Sequence, residues 1–226
     1  MIGTDVALLS VLGGVLGLDT VSFPQAMLSR PLVAATLGGA LLGRPLGGLL
    51  LGATLELFAV DTLPFGASRY PEWGSSAVVA AGLFVGSPET AGDLTTAALA
   101  ALAMAWVGGW SMLYVRRLNA RVARRKHDAI VRGDRNAVVG LQVKGLTTDL
   151  ARGCLLTAAG LLALAPLQSV ALARWKADAS LSRAVVVSVA AAVALGAVYK
   201  LFHGAPRFAW QLVIGLLGGT LLVVLR

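Results

Sequence analysis

The sequence predicts an all-α, polytopic integral membrane protein with broken or re-entrant helices and about six to eight membrane segments. Three observations predict it. Hydrophobic residues make up 57% of the 226 positions and charged residues only 13%, where a soluble domain carries about 25% charged residues. The apolar blocks run continuously instead of alternating with polar residues, which suits helices and not barrel strands. Between residues 19 and 71, Asp19, Gln25, Arg30, Glu56 and Asp61 are set into an otherwise apolar, Gly-rich run. A charge at membrane depth costs roughly 2.5–3.5 kcal/mol on insertion scales, so a chain that keeps several of them uses them.

The elements follow in order. The N-terminus carries Asp5 in place of a basic region and lacks a small-residue cleavage site, so Val6–Leu18 is expected to begin the first membrane helix and not a cleaved signal. Residues 31–43 and 46–60 are two short blocks separated by Arg44-Pro45, and 75–86 is a third. Short apolar segments interrupted by Gly and Pro are the best sequence pointer to a transporter's binding site; a tight helical hairpin without a ligand would look the same. The block 94–115 is longer, and 153–173, 184–202 and 208–225 complete the set. Only these last four approach the roughly 20 residues of a straight crossing. Glycines recur every fourth residue at Gly13/Gly17, Gly39/Gly43/Gly47, Gly48/Gly52 and Gly215/Gly219, a spacing that lets helix backbones approach closely.

The net charge of +8 would suggest nucleic acid in a soluble chain. Here the Lys and Arg concentrate in residues 116–144, a segment expected on the cytoplasmic side by the positive-inside rule. Its few apolar residues, Leu118, Val122, Ile130 and Val131, suit an amphipathic helix at the interface or a docking surface for a soluble partner. Nucleic acid is not an expected partner, because no aromatic stacking platform is interleaved with the basic residues. Trp73, Trp106, Trp110 and Trp175 read as interfacial anchors, with Trp73 kept open because it follows the polar turn Arg69–Glu72.

Cys154 is the one cysteine, and His127 and His203 sit in unrelated segments. No metal, cofactor or catalytic residue is therefore expected. Phosphate-loop, nucleophile-elbow and His-Glu-x-x-His patterns are absent from the sequence.

LDTVSFPQAMLSRPLVAATLGGALLG and GGLLLGATLELFAVDTLPFGA resemble the IIC subunit of the mannose/fructose/sorbose family of bacterial phosphotransferase systems. The matching residues are Asp19, Arg30-Pro31-Leu32, Gly52 to Leu57, Gly66-Ala67 and Pro71-Glu72. The basic segment and the helix after it agree more loosely. Arg44-Pro45 stands where the family often has an acid, and Glu72 where Asp is more usual.

The resemblance implies one membrane domain over 1–226, with 116–144 as a cytoplasmic segment within it. It implies a multi-pass subunit of the cell (inner) membrane that translocates a hexose-type sugar and has no catalytic residues of its own. The partners it implies are a IID membrane subunit, soluble IIA and IIB phosphocarriers, the sugar and membrane lipid, in an oligomer. Its implied sugar-binding residues are Glu56, Asp19 and Gln25, with Asp61 and Glu72 as further candidates. Each has an alternative: an ion pair with Arg30 or Arg44 for Glu56, a helix cap near Thr20 to Phe23 for Asp19, and satisfaction of broken-helix backbone groups for Gln25. Arg30 is expected to brace the break. A scaffold or sensor that has lost transport is the other reading. An unrelated membrane enzyme or permease has no motif behind it.

Overall fold

The computed structural model describes residues 3–60, 62, 70–175, 177–202, 204 and 208–224. Among them every regular element is a helix. In chain order these are α1 (Gly3–Asp19), α2 (Pro31–Leu41), α3 (Pro45–Ala59), α4 (Trp73–Val85), α5 (Ala91–Arg125), α6 (His127–Val131), α7 (Arg135–Ala173), α8 (Ala179–Phe202) and α9 (Phe208–Val224). By length and composition α5, α7 and the stretch Ala179–Lys200 of α8 are able to cross a membrane. The block 208–225, expected to approach crossing length, forms the 17-residue α9.

The long helices set the frame. α5 has 35 residues and so extends about 52 Å at 1.5 Å per residue, well beyond a hydrocarbon core of about 30 Å. It opens with a capping box in which Thr90 and Asp93 exchange hydrogen bonds. α7 has 39 residues and is capped by Asp134, whose carboxylate accepts the Asn136 and Ala137 N–H groups. The basic segment is not a separate interfacial helix. Residues 116–125 continue α5, α6 makes the bend, and α7 starts at Arg135. No breaker interrupts α5 before Lys126, and the turn back comes at Gly133, whose φ of +75° favours glycine.

The short helices pack between these. α2 and α3 form a hairpin, each beginning at a proline, a residue suited to a first helical turn. The turn passes through Gly43, also at φ +75°. The hairpin is held close by glycine. A Cβ added to Gly39 would lie 2.8 Å from the Gly48 Cα, one on Gly52 would lie 2.9 Å from the Pro31 carbonyl oxygen, and one on Gly48 would strike the Ala35 carbonyl. Arg44 at the hairpin turn pairs with Glu89 at 3.0 Å.

All 13 residues of α4 are buried. A helix that is apolar all round belongs in a core, and α4 packs on α1, α2, α3, α5 and α7. α1 runs antiparallel to α7. A Cβ on Gly13 would meet Thr157, one on Gly14 would meet Cys154, and one on Gly17 would lie 3.5 Å from Arg152 Nη2. α8 lies on α3 and α5. Its first turn is tied by Asp178, which accepts the Leu181 N–H at 2.6 Å. That bond, helped by Ser180, holds the Asp178 carboxyl below its ordinary value. On α9, Trp210, Ile214 and Leu217 are exposed, and nothing lies within 4 Å of a Cβ built on Gly215 or Gly219. That glycine pair makes no close helix contact among the described residues.

The depth of the short helices matters most for the site. The Glu72 N–H, at the start of α4, donates to the Ala105 carbonyl at 2.8 Å. α4 thus begins beside the middle of α5, inside the bundle. The ends of α1 and α3 and the start of α2 reach the same region, because Asp19, Thr62, Pro31 and Trp73 line one cavity.

Gly48→Val is expected to lower stability by about 1–3 kcal/mol or more, since the side chain meets backbone that cannot rotate away. Gly215→Ala is expected to stay within about 0.5 kcal/mol. Thermal unfolding of the two variants in the same detergent checks the contrast.

Candidate functional site

Asp19 ends α1 and is 2% exposed. One carboxylate oxygen accepts the Ala26 N–H at 2.6 Å and the other the Ser29 N–H at 2.8 Å. It therefore caps no helix start near Thr20; it ties down the loop of residues 20–30. That loop contains a cis Phe23–Pro24 bond and two non-glycine residues with positive φ, Gln25 at 59° and Met27 at 61°. Left-handed backbone at such residues costs about 1–3 kcal/mol each and persists only where its surroundings impose it. The Asp19 carboxylate imposes it here. Each of its oxygens has accepted one N–H, and a carboxylate offers about four lone-pair sites, so Asp19 keeps acceptor capacity.

Gln25 is exposed, and its side-chain amide N–H donates to the Val21 carbonyl at 2.8 Å. Among the described residues no donor reaches its amide oxygen. Glu56, near the end of α3, pairs with Arg30: Oε1 accepts from Nε at 2.6 Å and also from Nη2. Oε2 accepts the Leu32 N–H at 3.1 Å. One acid thus neutralises the arginine that enters α2 and satisfies a donor of the first α2 turn. Arg44 is engaged elsewhere, with Glu89.

Glu72 is the N-cap of α4 and is fully buried. Its Oε1 accepts the Ser75 N–H at 3.0 Å, while Oε2 has no partner among the described residues. The approach of residues 70–72 to α5 is possible because α5 has Gly108-Gly109 there. A Cβ on Gly108 would lie 2.8 Å from the Glu72 Cβ, and one on Gly109 would strike the Tyr70 carbonyl. Trp73 is 7% exposed and its Nε1 donates to Thr62 Oγ1 at 2.8 Å. It is a buried wall residue and not an interfacial anchor. Trp106 and Trp110 are exposed, as anchors would be.

These groups surround a cavity of about 510 Å³. Asp19, Gln25 and Arg30 line it from the α1–α2 side, and Thr62, Tyr70 and Trp73 from the opposite side. Of the sequence candidates, Asp19 and Gln25 are on the wall. Glu56 acts on the wall through Arg30, and Glu72 lies behind it, next to Pro71. Asp61 lies outside the described residues. Tyr70, Thr62, Ser29 and Arg116 also line the cavity and carried no signal of their own in the sequence. The chemistry is mixed. Acceptors, amide and guanidinium donors and hydroxyls are interspersed with two aromatic rings. Such a wall matches a neutral, polyhydroxylated ligand of modest size. Arg30 and Asp19 are each largely compensated by their own partners, so neither demands an ion, while Arg116, at the edge of the cavity, is held by the Tyr70 hydroxyl.

A family model described as the sorbose-specific IIC component of the phosphotransferase system matches residues 4–177. The chain belongs to this IIC family. The match takes in α1 to α7 and every described residue of the cavity. The fold agrees with two solved structures. One, described as a membrane protein, has a TM-score of 0.68 at 19% identity, covering 100% of this chain and 97% of that one. The other is a cryo-EM structure of the mannose transporter ManYZ in complex with microcin E492. Its TM-score is 0.64 at 17% identity, covering 97% of this chain and 87% of that one. No curated protein sequence matches the chain.

A double-mutant cycle with Arg30→Gln and Glu56→Gln is expected to return a coupling of about 0.5–3 kcal/mol. The same cycle on Arg44 and Glu89, where the Arg44 side chain is 56% exposed, is expected to return about 0–1 kcal/mol. Denaturant titration of the purified IIC protein measures both.

Proposed function

We propose that this IIC protein is the translocating membrane subunit of a sugar phosphotransferase system and that the cavity between the short-helix ends binds a hexose-type sugar. One observation carries the reading: a cavity at the helix ends lined by Asp19, Gln25 and Arg30 together with Thr62, Tyr70 and Trp73, in a chain of the IIC family. Sugar hydroxyls exchange hydrogen bonds with water for bonds to Asp19, the Gln25 amide and the cavity hydroxyls, and an aromatic face covers the apolar side of the ring. Glu56 acts through Arg30, fixing its guanidinium at the cavity rim. Glu72 positions the start of α4. Asp61 is retained as a further sugar contact.

The ManYZ complex in the solved structure supports a IID membrane subunit as partner, on the apolar faces left exposed by α7, α8 and α9. The basic α5–α7 hairpin end lies on the cytoplasmic side of the cell (inner) membrane, where soluble IIA and IIB proteins deliver phosphate. The assembly is multi-pass and oligomeric, and this subunit holds no phosphorylated residue. A transport-silent scaffold is favoured by one observation, namely that Asp19 and Glu56 both have backbone partners to hold. The test therefore uses Gln25, whose single backbone bond, to the Val21 carbonyl, is exposed.

Gln25→Ala is expected to weaken sugar binding at least about tenfold, the loss of one or two hydrogen bonds to the ligand, with at most a small fall in melting temperature from the loss of the exposed bond to the Val21 carbonyl. Asp19→Asn is expected to lose uptake together with some stability. Calorimetric titration with mannose, fructose and sorbose, beside phosphate-dependent uptake in cells carrying the partner proteins, reads both. Wild-type affinity and uptake in Gln25→Ala, or no sugar binding by the wild type, defeat the proposal.

A further inference from the structure

A second cavity, of about 590 Å³, lies on the other side of Arg116. Its walls are Val21 to Phe23, the α5 residues Met112 to Asn119 and the α7 residues Leu141 to Asp149. The two cavities share Val21 and Arg116. Arg116 thus stands between the sugar cavity and a chamber in the basic half of the α5–α7 hairpin.

Among the described residues the partners of Arg116 are neutral. Nη2 donates to the Tyr70 hydroxyl at 2.5 Å and lies 3.6 Å from Met112 Sδ, and the guanidinium sits 5.3 Å from the Tyr70 ring centroid. Among the described residues no carboxylate pairs with it. The acid on the same wall is Asp149, whose charge is paired with Arg152: Arg152 Nε donates to one oxygen at 2.7 Å and Ser22 Oγ to the other at 2.6 Å. A half-buried guanidinium whose partners among the described residues are neutral offers its charge to an anion. Its fork geometry suits phosphate oxygens in pairs. Asn119 and Gln142, on facing walls, bring side-chain amides that suit hydroxyls.

We propose that this second cavity binds a sugar phosphomonoester, with Arg116 leaving Tyr70 to hold the phosphate. The inference rests on the sugar-transport reading above and adds to it a product-side site. Arg116 is then both the closure between the two chambers and the group that distinguishes sugar from phosphorylated sugar. The neighbouring cations Arg117, Arg121, Arg124 and Arg125 raise the local concentration of anions around the chamber.

The test uses the full chain in phosphatidylcholine nanodiscs, titrated with mannose, fructose, mannose 6-phosphate, fructose 1-phosphate and inorganic phosphate. The phosphomonoesters are expected to bind at least about tenfold tighter than inorganic phosphate, the contribution of hydrogen bonds to their hydroxyls. Arg116→Gln is expected to lower the ratio of phosphomonoester to free-sugar affinity at least about tenfold, and Arg116→Lys to recover part of it. Asn119→Ala is expected to weaken the phosphomonoesters and leave inorganic phosphate as it was. Equal losses for sugar and phosphomonoester in Arg116→Gln overturn the proposal, as does wild-type protein that binds no phosphomonoester. If adding phosphatidylglycerol abolishes phosphomonoester binding in the wild type, the anion is a lipid headgroup and the proposal also falls. Arg116-dependent phosphomonoester binding without any free-sugar binding supports the anion site and removes the transport reading instead.

Discussion

Backbone groups at helix ends must find partners, and this protein stops four helix ends inside its bundle. The first turn of each helix leaves N–H groups unpaired and the last turn leaves carbonyls unpaired. In an apolar surrounding each costs several kcal/mol unless it is satisfied. Turns satisfy the carbonyls at the C-terminal ends, Leu18 accepting the Ser22 N–H and Ala59 the Thr62 N–H, and carboxylates satisfy N–H groups. Asp19 takes two N–H groups from the loop that follows α1. Glu56, reaching from α3, takes one from the start of α2. Glu72 takes one at the start of α4. The ion pair with Arg30 and the hydrogen bond from the Glu72 N–H to the Ala105 carbonyl then fix these ends relative to one another and to α5. The cavity is what remains where helix ends of this kind cannot fill space as side-by-side helices do.

Close backbone approach makes the arrangement possible. The α2–α3 hairpin has glycine against backbone at Gly39, Gly48 and Gly52, the α1–α7 pair has Gly13 and Gly14 against Thr157 and Cys154, and α5 receives residues 70–72 at Gly108-Gly109. Helices gain little from apolar burial when the solvent is itself apolar, so tight contact and internal hydrogen bonds carry the association. The same logic explains why polar groups concentrate at the junction. There they satisfy backbone, and the capacity left over faces a space large enough for a small hydroxylated ligand.

Much of this was legible in the sequence. Apolar blocks broken at Arg44-Pro45 announced the α2–α3 hairpin, and four-residue glycine spacing announced its contact. The acids that hydrocarbon should exclude were the right residues to notice, and an Arg30–Glu56 pair was among the alternatives. What could not be read was geometry that joins distant parts of the chain. Ser22 meets Asp149 across 127 positions, and Arg116 meets Tyr70 across 46. No local pattern encodes either meeting. For Asp19 the sequence left a helix cap open beside a sugar contact, because a carboxylate that closes a loop and one that caps a helix occupy the same kind of sequence. Trp73 looked interfacial because its partner Thr62 and the cavity beyond it are tertiary features. The basic segment looked like a surface helix because its composition is that of an interface, whereas the helical continuity from α5 made it the end of a long hairpin.

On the proposed function, the junction of helix ends admits water and sugar inside the membrane. Single cysteines at Thr20, Gln25 and Ser29, in a Cys154→Ala background in proteoliposomes, test it most directly when labelled with a charged, membrane-impermeant thiol reagent in the presence and absence of sugar. The account predicts labelling at all three positions, slowed by sugar, and none at Leu155, an exposed apolar residue of α7. No labelling at the three positions, or labelling at the same rate with and without sugar, would contradict it.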